Sequence, residues 1–241
     1  MLYSLGVNNV GFSKSQDLFM ASTQFQNTLR YHVSQFIFDH GFAPNALQLA
    51  NRLNCQADEI LAGLDELARN NAIVLHPNSH DIWVAHPFAL FPTLFWVRAE
   101  GKQWWCNCAW CALGLAALCK GAVDIHTKLG GEEHPIKIEI RNGKIVQDQY
   151  VVHLATPASK LWSNVIYTCS MALIFENEFE INKWCIRHNK PKGEAVKINK
   201  VSELAKAWYG NHLSPEFQVK TKDVATGIFR QVGLTSKHWQ L

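Results

Sequence analysis

Trp104-Trp105-Cys106-Asn107-Cys108-Ala109-Trp110-Cys111-Ala112-Leu113-Gly114 gathers three of the chain's seven cysteines beside three tryptophans, with no charged side chain among them. Thiols at that density serve a metal or a reaction, unless each is only a small buried hydrophobe. The spacing is C-x-C-x2-C. A tetrahedral zinc site would need a second cysteine pair downstream, but Cys119, Cys169 and Cys185 stand singly, so such a site is incomplete. A thioredoxin-like redox pair fits Cys108-Ala109-Trp110-Cys111, but the flanking elements do not alternate as that βαβ context requires. Cys55, Cys119 and Cys185 read as inert buried thiols.

On the C-terminal side of this segment, Ala109 to Leu118 has the run of Leu and Ala expected of a short buried helix. Strands follow at Ala122–Thr127, Ile136–Ile140, Lys144–Val146 and Val151–Leu154, with Asn142-Gly143 marking a tight hairpin. Trp162 to Phe175 is apolar and contains Cys169. Further helices are expected at Glu178–His188, with Phe179, Trp184 and Ile186 its larger apolar residues, at Val201–Tyr209, and in the tail before Gly233.

On the N-terminal side, residues 1–24 show no period and read as a leader. Met1 to Asn9 has no basic n-region and no small-residue cleavage site, so no signal peptide is expected. From Phe25 the pattern is helical, with Leu29, Val33, Phe36 and Ile37 on one face. Gly41 and Pro44 end it. A second helix should turn Leu47, Ala50 and Leu53 inward. A third carries Ile60, Leu61, Leu64, Leu67 and Ala68, with Cys55 at its N-cap and Asp58 in its first turn. Short strands at Ala72–Leu75 and Ile82–Ala85 flank a Pro77-Asn78-Ser79 turn. The expectation is an α+β chain: a leader (1–24), a three-helix winged-helix unit (25–85) and a strand-rich mixed α/β core (86–241).

Composition narrows the function classes. With 48% hydrophobic and 18% charged residues, the chain can bury a normal core. A net charge of +3 makes no case for nucleic acid. The third helix carries Asp58, Glu59, Asp65 and Glu66 against Arg69, the wrong sign for lying against phosphates, which argues against a DNA-reading regulator. No apolar run is long enough to span a membrane. An odd number of unevenly spaced cysteines in a chain of this length suggests free thiols in a reducing cytoplasm.

Three segments resemble the alkylmercury lyases, the organomercurial-cleaving enzymes of mercury resistance. They are Ala85-His86-Pro87-Phe88-Ala89-Leu90-Phe91-Pro92-Thr93, then Cys111-Ala112-Leu113, then Trp162 through Cys169 and Phe175 to Trp184. Gly233-Leu234 and Trp239 also fit, and the order of parts agrees over roughly residues 25–241. The resemblance implies that Cys111 and Cys169 bind the mercury of an organomercurial as thiolates. Soft mercury(II) favours sulfur. Two thiolates push electron density onto the mercury–carbon bond, and protonation of the carbon releases a hydrocarbon and leaves mercury(II) as bound product. No cofactor is implied beyond that metal, and low-molecular-weight thiols would carry the product away. For both sulfurs to hold one mercury they must lie within about 5 Å, scaling from zinc–sulfur bonds.

The chain departs from the family at one position. The family's proton-shuttling aspartate lies three residues after the first cysteine, where this chain has Gly114. Substitute donors are Cys106 and Cys108, Asp124, and the histidines His86, His126 and His134. The departure leaves a second reading open: a non-catalytic protein that binds or senses mercury or another soft metal through thiols.

Overall fold

A computed structural model describes residues 14–241, so the first part of the expected leader, with Met1 to Asn9, lies outside the described residues. The first helix, α1 (Lys14–His40), starts well before the apolar period that begins at Phe25. It is followed by α2 (Ala46–Leu53), α3 (Ala57–Arg69), β1 (Val74–Leu75) and β2 (Ile82–Ala85). Leu29, Val33 and Ile37 of α1 close over Leu49 and Ala50 of α2 and over Ile60, Leu64 and Leu67 of α3. Leu47 does not join them. It is 66% exposed, because Leu49 takes the inward position. The N-cap of α3 is Gln56, not Cys55. The Glu59 carboxylate accepts the Gln56 N–H at 2.9 Å, which satisfies a backbone donor at the start of the helix.

The strands form two antiparallel sheets. β1, β2, β3 (Phe88–Ala89), β4 (Phe95–Ala99), β5 (Lys102–Cys106), β6 (Val123–Lys128), β7 (Pro135–Arg141) and β8 (Lys144–Ile145) lie in the order β1-β2-β3-β5-β4-β6-β7-β8. The expected boundary at 85/86 falls at the turn between β2 and β3, which pair directly through Ala85 and Phe88. One sheet therefore runs from the helical half into the core. The C-terminal end of α1 is fastened to it as well: Trp104 Nε1 of β5 donates to the carbonyls of Ile37 (3.1 Å) and Phe38 (3.2 Å).

A second sheet has β9 (Val151–Leu154) between β10 (Leu173–Phe175) and β11 (Glu194–Lys197). Among the helices of this half are α4 (Ala109–Leu118), α5 (Val165–Ser170), α6 (Glu178–Arg187), α7 (Ile198–Tyr209) and α8 (Lys222–Gln231). α4 follows β5 directly and packs along α7. In α6 the buried side chains are Ile181, Trp184 and Cys185, whereas Phe179 and Ile186 face solvent. No helix among the described residues is long and apolar enough to cross a membrane.

Candidate metal-binding thiol site

The N-terminus of α4 builds the site. Cys108 is its N-cap in extended conformation, and the Cys108 sulfur accepts the backbone N–H of Cys111 at 3.3 Å. No acidic side chain stands in the first turn, so sulfur takes the place usually held by an oxygen. The next free donor, the Ala109 N–H, goes to the carbonyl of Ala172 (3.1 Å), and the Ala172 N–H returns to the carbonyl of Cys169 (3.1 Å). Those two bonds fasten the end of α5 to the start of α4 and carry Cys169 to Cys111. Both cysteines are buried, at 6% and 2% exposure. The Cys111 and Cys169 sulfurs and a ring nitrogen of His86 all lie within 4.8 Å of one another, inside the span that one mercury requires.

Two further groups reach Cys111. His86 Nδ1 and the Tyr209 hydroxyl each lie 3.7 Å from its sulfur. Tyr209 is the last residue of α7, and its ring lies against Gly114. A Cβ at position 114 would come within 2.2 Å of the ring. The space that a side chain would need beside the thiols is thus filled by tyrosine, and the glycine is what lets α7 approach.

The thiols share their charge unevenly. Burial by itself would raise the Cys108 thiol, but the neighbouring Cys111 and Cys169 thiols and the Cys111 N–H hold it well below the ordinary range. The same contacts act in reverse on Cys111 and Cys169. Lying beside the Cys108 sulfur raises both, and burial adds to it. The cluster therefore favours ionisation at Cys108, at the helix N-terminus, over ionisation at Cys111 or Cys169. Tyr209 is held protonated by burial, reinforced by the nearby sulfurs. His86 is kept neutral, pushed down to about 4 by burial.

The remaining candidates fall elsewhere. Cys106 is buried at the end of β5, opposite Phe88 and Phe95, and does not line the cleft onto the sulfurs. Asp124 on β6 is paired with Arg141 at 2.6 Å. His126 packs its ring on Trp96, and His134 lies exposed just ahead of β7. Cys119 caps the far end of α4, and Cys185 lies near His153 at 3.8 Å. All seven cysteines are free. The sequence pointed to Cys111 and Cys169 and admitted Cys108 and His86 among several substitute proton donors. It missed Tyr209, whose one signal is that the expected helix at Val201–Tyr209 ends there.

A cleft of about 40 Å³ opens onto Cys108, Cys111 and Cys169 between Trp110, Trp162 and Trp208. That is little more than the volume of one water. It adjoins a cavity of about 440 Å³ with which it shares His86, Leu161, Trp162, Trp208 and Tyr209.

Buried histidines make stability depend on pH. His153 is pushed down to about 4 by burial and by His238, and His212 lies well below its ordinary value through burial and the charges of Arg30 and Lys220. Between about pH 4 and 6.5 the unfolded chain then binds more protons than the folded one, so stability falls as pH drops through that window. His153 alone should cost about 2 kcal/mol between pH 7 and pH 5. Urea unfolding at the two pH values measures it, and His153→Gln should reduce the difference by that amount, leaving the part due to His212 and His86.

A buried set of thiols around a helix N-terminus, reached by an aromatic cleft, defines a protein suited to holding a soft metal through sulfur. Residues 88–210 match the family model for MerB, alkylmercury lyase, which covers just over half of the chain. The chain belongs to the alkylmercury lyase family. A solved structure described as the mercury-bound form of MerB2 superposes with a TM-score of 0.60 at 22% identity, covering 80% of this chain and 97% of that one. At that identity the likeness speaks for the shared mixed α+β fold. No curated protein matches the chain.

Proposed function

We propose that the protein cleaves the carbon–mercury bond of organomercurials, with Cys111 and Cys169 as the mercury-binding thiols and Cys108 as the proton shuttle. The observation that carries this reading is the placement of the Cys111 and Cys169 sulfurs within 4.8 Å of each other, beside a third thiol that favours the ionised form. In the first exchange one of the two thiols displaces the small thiolate that delivers the mercury. One mercury–sulfur bond forms as another breaks, and the thiol proton leaves through Cys108 to the departing thiolate. The second thiol then bonds to mercury and gives its proton to Cys108. The electron pair of the mercury–carbon bond takes that proton, and the hydrocarbon departs. No atom changes oxidation state, mercury(II) remains on two sulfurs, and Cys108 is again a thiolate. Small thiols would remove the mercury by the same exchange.

The lowered pKa of Cys108 and its place at the N-cap beside Cys111 support it over Tyr209. It is an ionisable neighbour of both mercury-binding thiols, whereas Tyr209 is held protonated and is the weaker acid. The 40 Å³ cleft is too small for a phenyl ring, so an aryl group would extend past Trp162 and Trp208 toward the larger cavity. A cytoplasmic location would suit thiols that must stay reduced.

A second reading is favoured by one observation. Tyr209 occupies the space beside Gly114, where the family uses a carboxylate. Among the described residues no Asp or Glu lines the cleft, and on that reading the protein binds mercury and does not cleave. Incubation with phenylmercury and excess small thiol separates the two. Benzene should be released by the intact protein and not by Cys111→Ala. Tight stoichiometric phenylmercury binding without benzene would establish the second reading.

A further inference from the structure

The 440 Å³ cavity contains an electrostatic arrangement that thiol chemistry does not use. Arg30 of α1 lines it and is 3% exposed. Its guanidinium donates to the carbonyls of His212 (2.9 Å) and Ser214 (3.3 Å), and its Nε is buried with no hydrogen-bond partner among the described residues. Lys220 lines the same cavity. Arg30 lies 4.1 Å and Lys220 4.5 Å from the centre of the Phe217 ring, so one aromatic ring serves both cations. Lys222, at the first turn of α8, is a third cation on the wall, and among the described residues no Asp or Glu side chain lines the cavity. Neither Arg30 nor Lys220 is in an ion pair among the described residues.

Cations withdrawn from water without a counter-charge are costly, and the cost falls when an anion enters. Burial pushes Arg30 down to about 10, and burial together with Arg30 pushes Lys220 down to about 8, the response of cations that lack an anionic partner. The aromatic walls, Trp162, Trp208 and Phe229 among them, suit a flat apolar body. Because Trp162, Trp208 and Tyr209 line both hollows, a molecule in the cavity lies against side chains that also border the sulfurs.

We infer that the cavity is an anion subsite, in which Arg30 and Lys220 receive the carboxylate of an aromatic or small aliphatic acid delivered together with mercury. This deepens the proposed function and rests on it for the mercury, but not for the anion. The carboxylate has two possible sources: the organic group bonded to mercury, or the small thiol that carries the mercury in.

The subsite is tested first without mercury. Benzoate should quench tryptophan fluorescence saturably through Trp162 and Trp208, and the neutral benzamide should not. Lys220→Met should weaken benzoate binding about tenfold, the loss expected for one charge-assisted contact. Lys220 is preferred to Arg30 as the site of change, because Arg30 also fastens the 212–214 backbone and its loss could unfold the protein. Equal binding of benzoate and benzamide, or no effect of Lys220→Met on benzoate, would overturn the inference. Loss of cleavage activity alone would leave benzoate binding intact and would count only against the proposed function.

The sources are then separated with mercurials. If the acid belongs to the organic group, 4-mercuribenzoate should have a KM about tenfold below that of phenylmercury in neutral mercaptoethanol, and Lys220→Met should erase the difference. If it belongs to the carrier, phenylmercury should be handled better in mercaptoacetate than in mercaptoethanol, again only with Lys220 present. If the protein binds without cleaving, dissociation constants replace KM in the same comparison. No preference in either arm would overturn the link to mercury delivery.

Discussion

Cys108→Ser should lower carbon–mercury cleavage by about 10²–10⁴, the usual cost of losing a positioned proton donor, and leave mercury(II) binding at one equivalent per chain. Serine is chosen because it caps a helix as well as any residue and so spares α4. It also keeps the acceptor for the Cys111 N–H. What it removes is the ionisable sulfur, since a hydroxyl in this setting will not carry a negative charge at neutral pH. Single-turnover benzene release and metal titration separate the two effects. Cys108→Asp supplies a sharper check: aspartate also favours the N-cap and restores an ionisable group, so part of the lost rate should return. Unchanged cleavage in Cys108→Ser would remove Cys108 from the proton route and direct attention to Tyr209, where Tyr209→Phe would be the next variant.

The second large effect concerns the position where the family has its aspartate. Gly114→Asp looks like a restoration but should instead destabilise the fold by about 3 kcal/mol or more. The new Cβ would lie 2.2 Å from Tyr209 Cδ2 and 2.7 Å from Cε2, with the carboxyl still to be placed. Overpacking of a tight core costs about 1–3 kcal/mol, and a carboxylate buried without a partner adds to it. Tyr209→Ala alone should also destabilise, by about 3–5 kcal/mol, through the cavity it leaves. Together the two changes should cost much less than their sum, because each relieves the other. Urea unfolding of the four proteins measures that coupling. A Gly114→Asp protein as stable as the parent would show that Tyr209 swings away freely. If the double variant folds and cleaves faster than Tyr209→Ala, the space held by Tyr209 can still serve a carboxylate.

Glycine at 114 and tyrosine at 209 are thus one feature at two positions. Gly114 on α4 makes room for a large ring from α7. The sequence displays only the glycine. Nothing local marks residue 209 as its counterpart, because the pairing depends on how closely two helices approach.

The same division recurs across the fold. Helix α4 was legible from Ala109 to Leu118, and β9 from Val151 to Leu154, because a dense apolar run bounded by polar residues leaves few alternatives. Leu47 was misplaced because an apolar side chain is not obliged to be inside. β11 was missed: Glu-Ala-Val-Lys among lysines has too little pattern to announce a strand, and it forms because β9 offers an open edge.

By itself, the sequence singled out Cys111 and Cys169 and, through the family resemblance, Gly114 where a carboxylate is expected. Sulfur's preference for soft metals and the absence of a side chain at Gly114 are properties of residue types. Tertiary structure decided the rest. The Ala109–Ala172 and Ala172–Cys169 backbone bonds bring the distant cysteines together. The end of α7 places Tyr209 against Gly114, and α1 carries Arg30 into a cavity built mainly by the other half of the chain. Each depends on contacts between residues far apart in the chain, and such contacts are fixed only when the elements pack.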